Sequence, residues 1–500
     1  MTVIREDDLR QSIADALQFI SYYHPPDFIR HLVAAHAREE SPAAKAAMAQ
    51  ILRNSRMAAL GHRPLCQDTG SASVFLRIGM GARIDSRRAL QDIVNDAVRE
   101  AYGLDRNPLR ASMVHDAVFD RRNTNDNTPG YVSVSLVEGD NVEVNVSAKG
   151  AGSENKAKFA VLDPGESVVD WVVKAVESMG AGWCPPGILG IGAGGGADKA
   201  MLLAKEALNE PLDMADLLAR GPANKAEEMR IEIYERVNAL GIGAQGLGGL
   251  QSVLDVKLKT FAAHAASLPV ALIPNCAATR HVHFTLDGTG PARFTPPDLT
   301  DWPDLADDPA ATLRRVDLDS LSAESVRDWK VGETLLLSGV LYTGRDAAHR
   351  RMAEMIAKGE PLPVDLRDKA IYYVGPVDAV GDEVIGPAGP TTSTRMDRYL
   401  SSVLPATGLR VMIGKAERGP AAIETIKKAG AVYLIAVGGA AYLVAQSIRA
   451  ARVVAWPDLG MEAIHEFEVR DMPVVVAVDA TGASVHSTGP ALWRGKFRLP

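Results

Sequence analysis

Apolar residues recur at helical spacing over positions 9–20, 28–37 and 43–60, so the start of the chain reads as three helices, with Pro25-Pro26 parting the first two. Beyond Cys66 the period changes. Alternation over 131–136 and 142–146 predicts strands, 168–179 a helix, 188–191 a strand, and 197–208 and 223–240 helices. Residues 286–314 carry Gly288-Thr-Gly-Pro291, Pro296-Pro297, Trp302-Pro303 and Asp307-Asp308-Pro309 with little periodicity, which marks a linker and boundary. Strand patterns then dominate, at 335–341, 370–374, 432–437, 452–455 and 473–478. The pattern predicts a mixed α/β fold. Residues 1–290 form a mainly α domain with a small sheet, 291–314 link it, and 315–500 form a β-rich α/β domain, with the site between the two.

Length and composition fit this picture: 500 residues that are 47% hydrophobic suffice for a large core. A formal net charge of −8 repels phosphate backbones and anionic lipid, which argues against nucleic-acid and membrane partners. One charge-free stretch, 429–448, is long enough to span a bilayer. Gly438-Gly439 splits it, however, into a β-rich and a helical run, as in a buried strand–turn–helix. The N-terminus lacks an uninterrupted apolar signal segment, which predicts a cytoplasmic protein.

Three cysteines separated by about a hundred residues cannot form a disulfide framework. Cys66, Cys184 and Cys276 each sit in punctuated, loop-like sequence: Arg63-Pro-Leu-Cys66-Gln-Asp-Thr-Gly70, Trp183-Cys184-Pro-Pro-Gly187 and Ile273-Pro-Asn-Cys276-Ala-Ala-Thr279. Three thiolates from distant loops suit an iron–sulfur cubane with one open iron, whereas a closed zinc site wants a fourth ligand. By spacing alone, three unrelated core cysteines are the simpler reading.

Two stretches match G-x-G-x-x-G, at Gly190, Gly192 and Gly195 and at Gly241, Gly243 and Gly246. The first follows a strand and opens a helix, as a dinucleotide fingerprint requires, but 198–240 reads as helical with no second strand to carry a ribose-binding acid. A nicotinamide-dependent dehydrogenase is disfavoured on that ground. Arg110, Lys149, Arg345, Arg395 and Lys415 lie near glycine or proline, where an acidic protein that binds a small dianion would concentrate its cations. Each is singly as well read as a solvated charge, and Thr391 to Arg395 as a helix cap. His281 and His283 share one face of a strand.

Several long strings carry a specific resemblance. Cys66-Gln67-Asp68-Thr69-Gly70, Ala148-Lys149-Gly150-Ala151-Gly152-Ser153-Glu154-Asn155-Lys156, Cys184-Pro-Pro, Gly389-Pro-Thr391-Thr392 with Arg395-Met-Asp397, and Asp458-Leu-Gly460-Met-Glu-Ala-Ile464 resemble class I fumarate hydratases, in that family's order and over nearly the whole chain. The resemblance implies a swivelling β/β/α C-terminal domain and a homodimer. It further implies a [4Fe-4S] cluster on Cys66, Cys184 and Cys276 and a small dicarboxylate substrate, fumarate or (S)-malate. It carries Gln67, Arg110, Gly152, His264, Arg345, Arg395 and Lys415 over as substrate-binding residues, with Thr391 taking the C3 proton of malate and Asp68 as its proton partner. His264 is expected to reach a neighbouring subunit's site. Two departures stand out: residues 150–152 read Gly-Ala-Gly where the family often has three glycines, and Arg106 competes with Arg110. Related hydro-lyases acting on L-tartrate or mesaconate are the runner-up within the family. An iron–sulfur RNA-binding regulator would need a basic face that the composition lacks.

Overall fold

The computed structural model describes residues 2–305 and 313–500, so part of the expected linker, 306–312, lies outside the described residues. The chain opens with β1 (Thr2–Arg5), α1 (Glu6–Tyr22), α2 (Pro26–Arg38) and α3 (Pro42–Gly61), the last three matching the apolar runs. Glu6, Asp7 and Asp8 fill the first turn of α1, where the helix dipole favours negative charge. Pro26 and Pro42 begin α2 and α3, where a missing N–H costs nothing.

Next come β2 (Ser71–Gly79), β3 (Ala82–Asp85), α4 (Leu90–Tyr102), β4 (Tyr131–Val137), β5 (Val142–Lys149), α5 (Ala151–Glu154), β6 (Lys158–Leu162), α6 (Val168–Met179) and β7 (Gly187–Gly195). Then follow α7 (Ala197–Ala207), α8 (Met214–Arg220), α9 (Lys225–Asn238), β8 (Val253–Ala263), β9 (Leu268–Asn275) and β10 (His281–Leu286). These strands form a parallel β1-β3 pair and two four-stranded sheets, β10-β5-β2-β4 and β6-β9-β7-β8. In the first sheet, alternate residues Val74, Leu76, Val142, Val144, Val146 and Phe284 are buried in one core with residues of α1 and α4. The first 290 residues thus carry more sheet than the one small sheet that periodicity predicts.

The glycine fingerprint at 190–195 is a packing device. A Cβ at Gly190 would lie 2.3 Å from the carbonyl oxygen of Ala204, and one at Gly192 would lie 2.1 Å from that of Ala200, so α7 packs directly onto β7. Among the described residues, α7, α8 and α9 follow with no strand before Leu240, as the sequence pattern requires.

The second half comprises β11 (Arg314–Asp317), β12 (Thr334–Thr343), α10 (Asp346–Lys358), β13 (Ala370–Tyr372), α11 (Asp397–Thr407), β14 (Val411–Gly414) and α12 (Pro420–Ala429). It closes with β15 (Val432–Ile435), α13 (Ala441–Ala445), β16 (Ile448–Ala455), β17 (Ile464–Val478) and α14 (Val485–Trp493). Its seven strands run in the order β11-β12-β13-β14-β15-β17-β16, and β12 also pairs with β17, so five strands make a closed circuit. One apolar layer packs Leu335, Leu337, Ile413, Val432, Leu434 and Phe467. The opposite face of β13 to β15 shares a contiguous core with α2 and α3 from the first half. Overall 36% of the described residues are helical and 26% strand, a mixed α/β structure. Stretch 429–448 is the expected strand–turn–helix, and no helix among the described residues is long and apolar enough to cross a membrane.

β12, β13, β14 and β15 are mutually parallel. The loops at their C-terminal ends carry Arg345, then Thr391 and Arg395, then Lys415, then Gly438. Ligands of parallel α/β sheets, open or closed, bind at such ends.

Candidate active site

The first half meets these loops with its three cysteines. Cys66 follows α3, Cys184 precedes β7, and Cys276 follows β9. The Ala277 N–H donates to the Cys184 carbonyl at 3.1 Å, which joins two of the loops. Gln245, itself at φ +56°, ties the same loop to the second half. Its amide donates to the Pro185 carbonyl at 2.9 Å and accepts from the Gly438 N–H at 2.8 Å. The second half's backbone approaches so closely there that a Cβ on Gly438 would lie 2.6 Å from the Cys184 sulfur.

Lys415 is the shared centre. Its ammonium lies close to all three cysteines and to Asp68; burial opposes its charge, but the negative charge that these groups can carry outweighs burial and raises it. Burial pushes the Cys184 thiol up to about 11, against the pull of Lys415, and raises Cys66 too, against Lys415 and Arg280. Free of metal, both thiols favour the protonated form, so it is their thiolates, formed by proton release when iron binds, that would face Lys415. Three soft donors from separate loops beside a buried cation fit an anionic iron–sulfur group. No group of three or more His, Cys, Asp or Glu among the described residues is arranged to hold a single metal ion.

Asp68 accepts from the Ala151 N–H at 2.9 Å and lies 3.9 Å from Arg110. Burial works to raise its pKa, but Arg110, Arg280, Lys415 and that N–H together bring it below the ordinary value, so it stays a carboxylate. The Gly-Ala-Gly run is explained here. A Cβ on Gly150 would sit 3.0 Å from an Asp68 oxygen, and one on Gly152 would sit 3.3 Å from the Lys415 nitrogen. Ala151 is exposed and contributes only its backbone, so a side chain is tolerated there.

Three guanidiniums gather on the far side. Arg110 donates to the Gly375 carbonyl at 2.7 Å, and burial, with Arg345 and Arg395 adding repulsion, lowers it to about 10. Arg345 faces Glu462 at 3.4 Å, and Arg395 faces Asp346 at 3.0 Å. Glu462, from the Asp458–Ile464 string, also accepts from the Ala347 N–H at 2.8 Å and so steadies the start of α10 beside Arg345. Arg106, the competitor of Arg110, is exposed and lies near Tyr22 instead.

Thr391 is buried and held by its backbone: its N–H donates to Tyr373 at 2.7 Å and its carbonyl accepts from Lys415. The short 3-10 turn Ser393–Met396 takes Thr392 as its cap, with no side-chain capping bond, so Thr391 does not cap a helix. Gln67 donates to the Pro390 carbonyl at 3.1 Å and accepts from the Cys66 thiol at 3.2 Å. Gln67, Asp68, Arg110, Gly152, Arg345, Thr391, Arg395, Lys415 and the three cysteines thus share one region. His264 does not. It lies on the exposed turn between β8 and β9 and bonds within that turn, accepting from the Ala266 N–H at 3.2 Å.

Sequence reasoning passed over Gln245, Gly438 and Arg280. Gln245 stood inside the second glycine fingerprint, an amide amid backbone-permissive residues. Gly438 reads in sequence as a turn alone. Arg280, four residues past Cys276, is buried.

Comparison with known proteins identifies the family. Residues 10–285 match the family described as fumarate hydratase (Fumerase), and residues 288–489 match the fumarase C-terminus. The anaerobic class I fumarate hydratase of Escherichia coli K12 is 31% identical over 469 residues, covering 89% of this chain and 83% of its own. Fumarate hydratase 2 of Leishmania major is 30% identical over 458 residues, 87% of this chain and 79% of its own. A Methanocaldococcus jannaschii chain that carries the name of an L(+)-tartrate dehydratase alpha subunit is 33% identical over 275 residues, 54% of this chain and 94% of its own. The chain belongs to the class I fumarate hydratase family, a family of hydro-lyases.

Proposed function

We propose that this protein interconverts fumarate and (S)-malate in the cytoplasm, using a [4Fe-4S] cluster held by Cys66, Cys184 and Cys276. The observation that carries the reading is the gathering of these cysteines around Lys415, with Thr391 and Asp68 beside it. When bound, such a cluster supplies a Lewis-acidic iron with an open position. The chain's own residues do the rest. Arg345, Arg395 and Lys415 bind the substrate carboxylates and meet the negative charge that grows beside the C3 carbanion. Thr391 removes the C3 proton of malate, a task for which a hydroxyl needs a strongly cationic pocket, and Asp68 exchanges that proton onward. Gln67 and Arg110 orient Asp68 and the loop that carries Thr391, and Gly152 leaves room for Lys415.

We assign residues 1–290 to a cluster-binding domain and 315–500 to a substrate-clamping domain. A homodimer would let His264 complete the site of a neighbouring subunit. An anaerobic assay with fumarate, mesaconate and L-tartrate side by side tests the substrate. Preference for fumarate supports the reading; preference for tartrate moves the chain to the dehydratase branch.

A further inference from the structure

Arg280 ends the loop that carries Cys276, and nothing in the proposed chemistry uses it. It is 3% exposed, and its carbonyl accepts from the Ala148 N–H at 3.1 Å, which fixes where the side chain starts. Its Nε and Nη1 groups are buried and find no acceptor among the described residues. A guanidinium cannot shed its charge, so burying its donors unpaired is costlier than burying neutral ones. The surroundings indicate where an acceptor belongs. On one flank lie Lys149 and His24, whose charged forms Arg280 disfavours. On the other lie Cys66 and Asp68, whose anionic forms it favours. Asp68 is already bonded to Ala151, and no bond joins it to Arg280 among the described residues.

We propose that Arg280 is a positioning cation of the cysteine centre: its two unpartnered N–H groups donate to sulfur of the iron–sulfur group and offset that group's negative charge. The proposal rests on the cluster assignment above. Hydrogen bonds to cluster sulfurs and nearby charge both set the reduction potential. Losing a cation makes adding an electron harder.

The test uses the full-length protein, reconstituted anaerobically, with Arg280→Gln and Arg280→Lys. Iron and acid-labile sulfide per chain, the midpoint potential followed by electron paramagnetic resonance, and KM and kcat are measured together. Arg280→Gln is expected to shift the reduction equilibrium about tenfold toward the oxidised cluster, ~59 mV to lower potential for one electron, with KM unchanged. Arg280→Lys should fall between the two. An unchanged potential in loaded Arg280→Gln overturns the proposal, as does a raised KM at constant potential, which would make Arg280 a substrate contact. If Arg280→Gln takes up no cluster, the potential of Arg280→Lys decides by the same criterion. If the unmodified protein takes up neither iron nor sulfide, the cluster assignment itself fails, and this proposal with it.

Discussion

The backbone N–H of Lys415 donates to the carbonyl of Thr391 at 3.1 Å. Residue 391, assigned to proton transfer, and the ammonium that sits among three thiols are therefore fixed in one register, as Thr392 bridges Lys415 like a short added strand. The Ser393 N–H donates back to the Lys415 carbonyl at 3.1 Å, and a Cβ on Gly414 would lie 1.9 Å from the Ser393 hydroxyl. The register is thus held by backbone and by a close contact, independently of the Thr391 side chain, whose hydroxyl makes no hydrogen bond among the described residues.

That independence makes Thr391→Ala a clean test. The variant should keep its iron content and KM while kcat falls by about 10²–10⁴, the usual worth of a positioned proton-transfer group. A near-normal kcat in cluster-loaded protein would move the proton-transfer role to Asp68.

Arg345 and Arg395 should behave differently from Thr391 and from each other. Removing either weakens binding of malate and of inert dicarboxylates alike, because a carboxylate clamp acts in the ground state too. A charge-assisted contact is worth about 1.5–3 kcal/mol. Arg395 has a side chain 46% exposed and Arg345 one that is 12% exposed, so Arg395→Ala should fall near the lower figure and Arg345→Ala near the upper. Inhibition constants for a non-reacting dicarboxylate measure both. Equal binding by both variants and the unmodified protein would remove the clamp.

Gly438→Ala places a methyl group 2.6 Å from the Cys184 sulfur and 3.1 Å from the side-chain amide oxygen of Gln245. Overpacking of this kind costs about 1–3 kcal/mol, and here it also displaces Cys184, a ligand of the proposed cluster. Iron per chain should drop sharply. Gly165→Ala, with nothing within 4 Å, is the control and should load normally. Full loading of Gly438→Ala would mean that Cys184 is free to move.

His349 ties stability to pH. Burial lowers it to about 4, although its bond to the Arg345 carbonyl at 2.9 Å favours the charged form. The unfolded side chain titrates near 6.5. Between these values the unfolded chain holds a proton that the folded chain lacks, so this contribution to stability is present above about pH 6.5 and is lost as pH falls toward 4. The full effect is on the order of 3 kcal/mol. Urea unfolding at pH 7 and pH 5 should show the decline, and His349→Phe should flatten it. An unaltered slope in His349→Phe would assign the decline to other groups.

Much of the fold is legible in the chain because one face of each element is buried and the other is not. Residues 168–179 show a helical apolar stripe and form α6 over those same residues, and alternation at 142–146 marks β5. β9 escapes the pattern because seven of its eight residues are apolar or proline and six are buried, which leaves no period to detect. β8 escapes because its outer end is exposed throughout while its inner end is buried throughout. Spacing names the cysteines without bringing them together, and only the family resemblance implies a shared site, since their approach depends on Gln245 and on Ala277 bonding across loops distant in sequence. Arg280 was unreadable for a related reason: a buried arginine beside a cysteine looks like any loop cation until its missing partners are seen.

The most direct test of the central claim is the rate of fumarate hydration by one anaerobic preparation, assayed as isolated, after aeration, and after anaerobic treatment with ferrous iron and thiol. The account predicts loss of activity on aeration, as the unligated iron departs, and recovery on repair. Full activity in air after exhaustive chelation would contradict it.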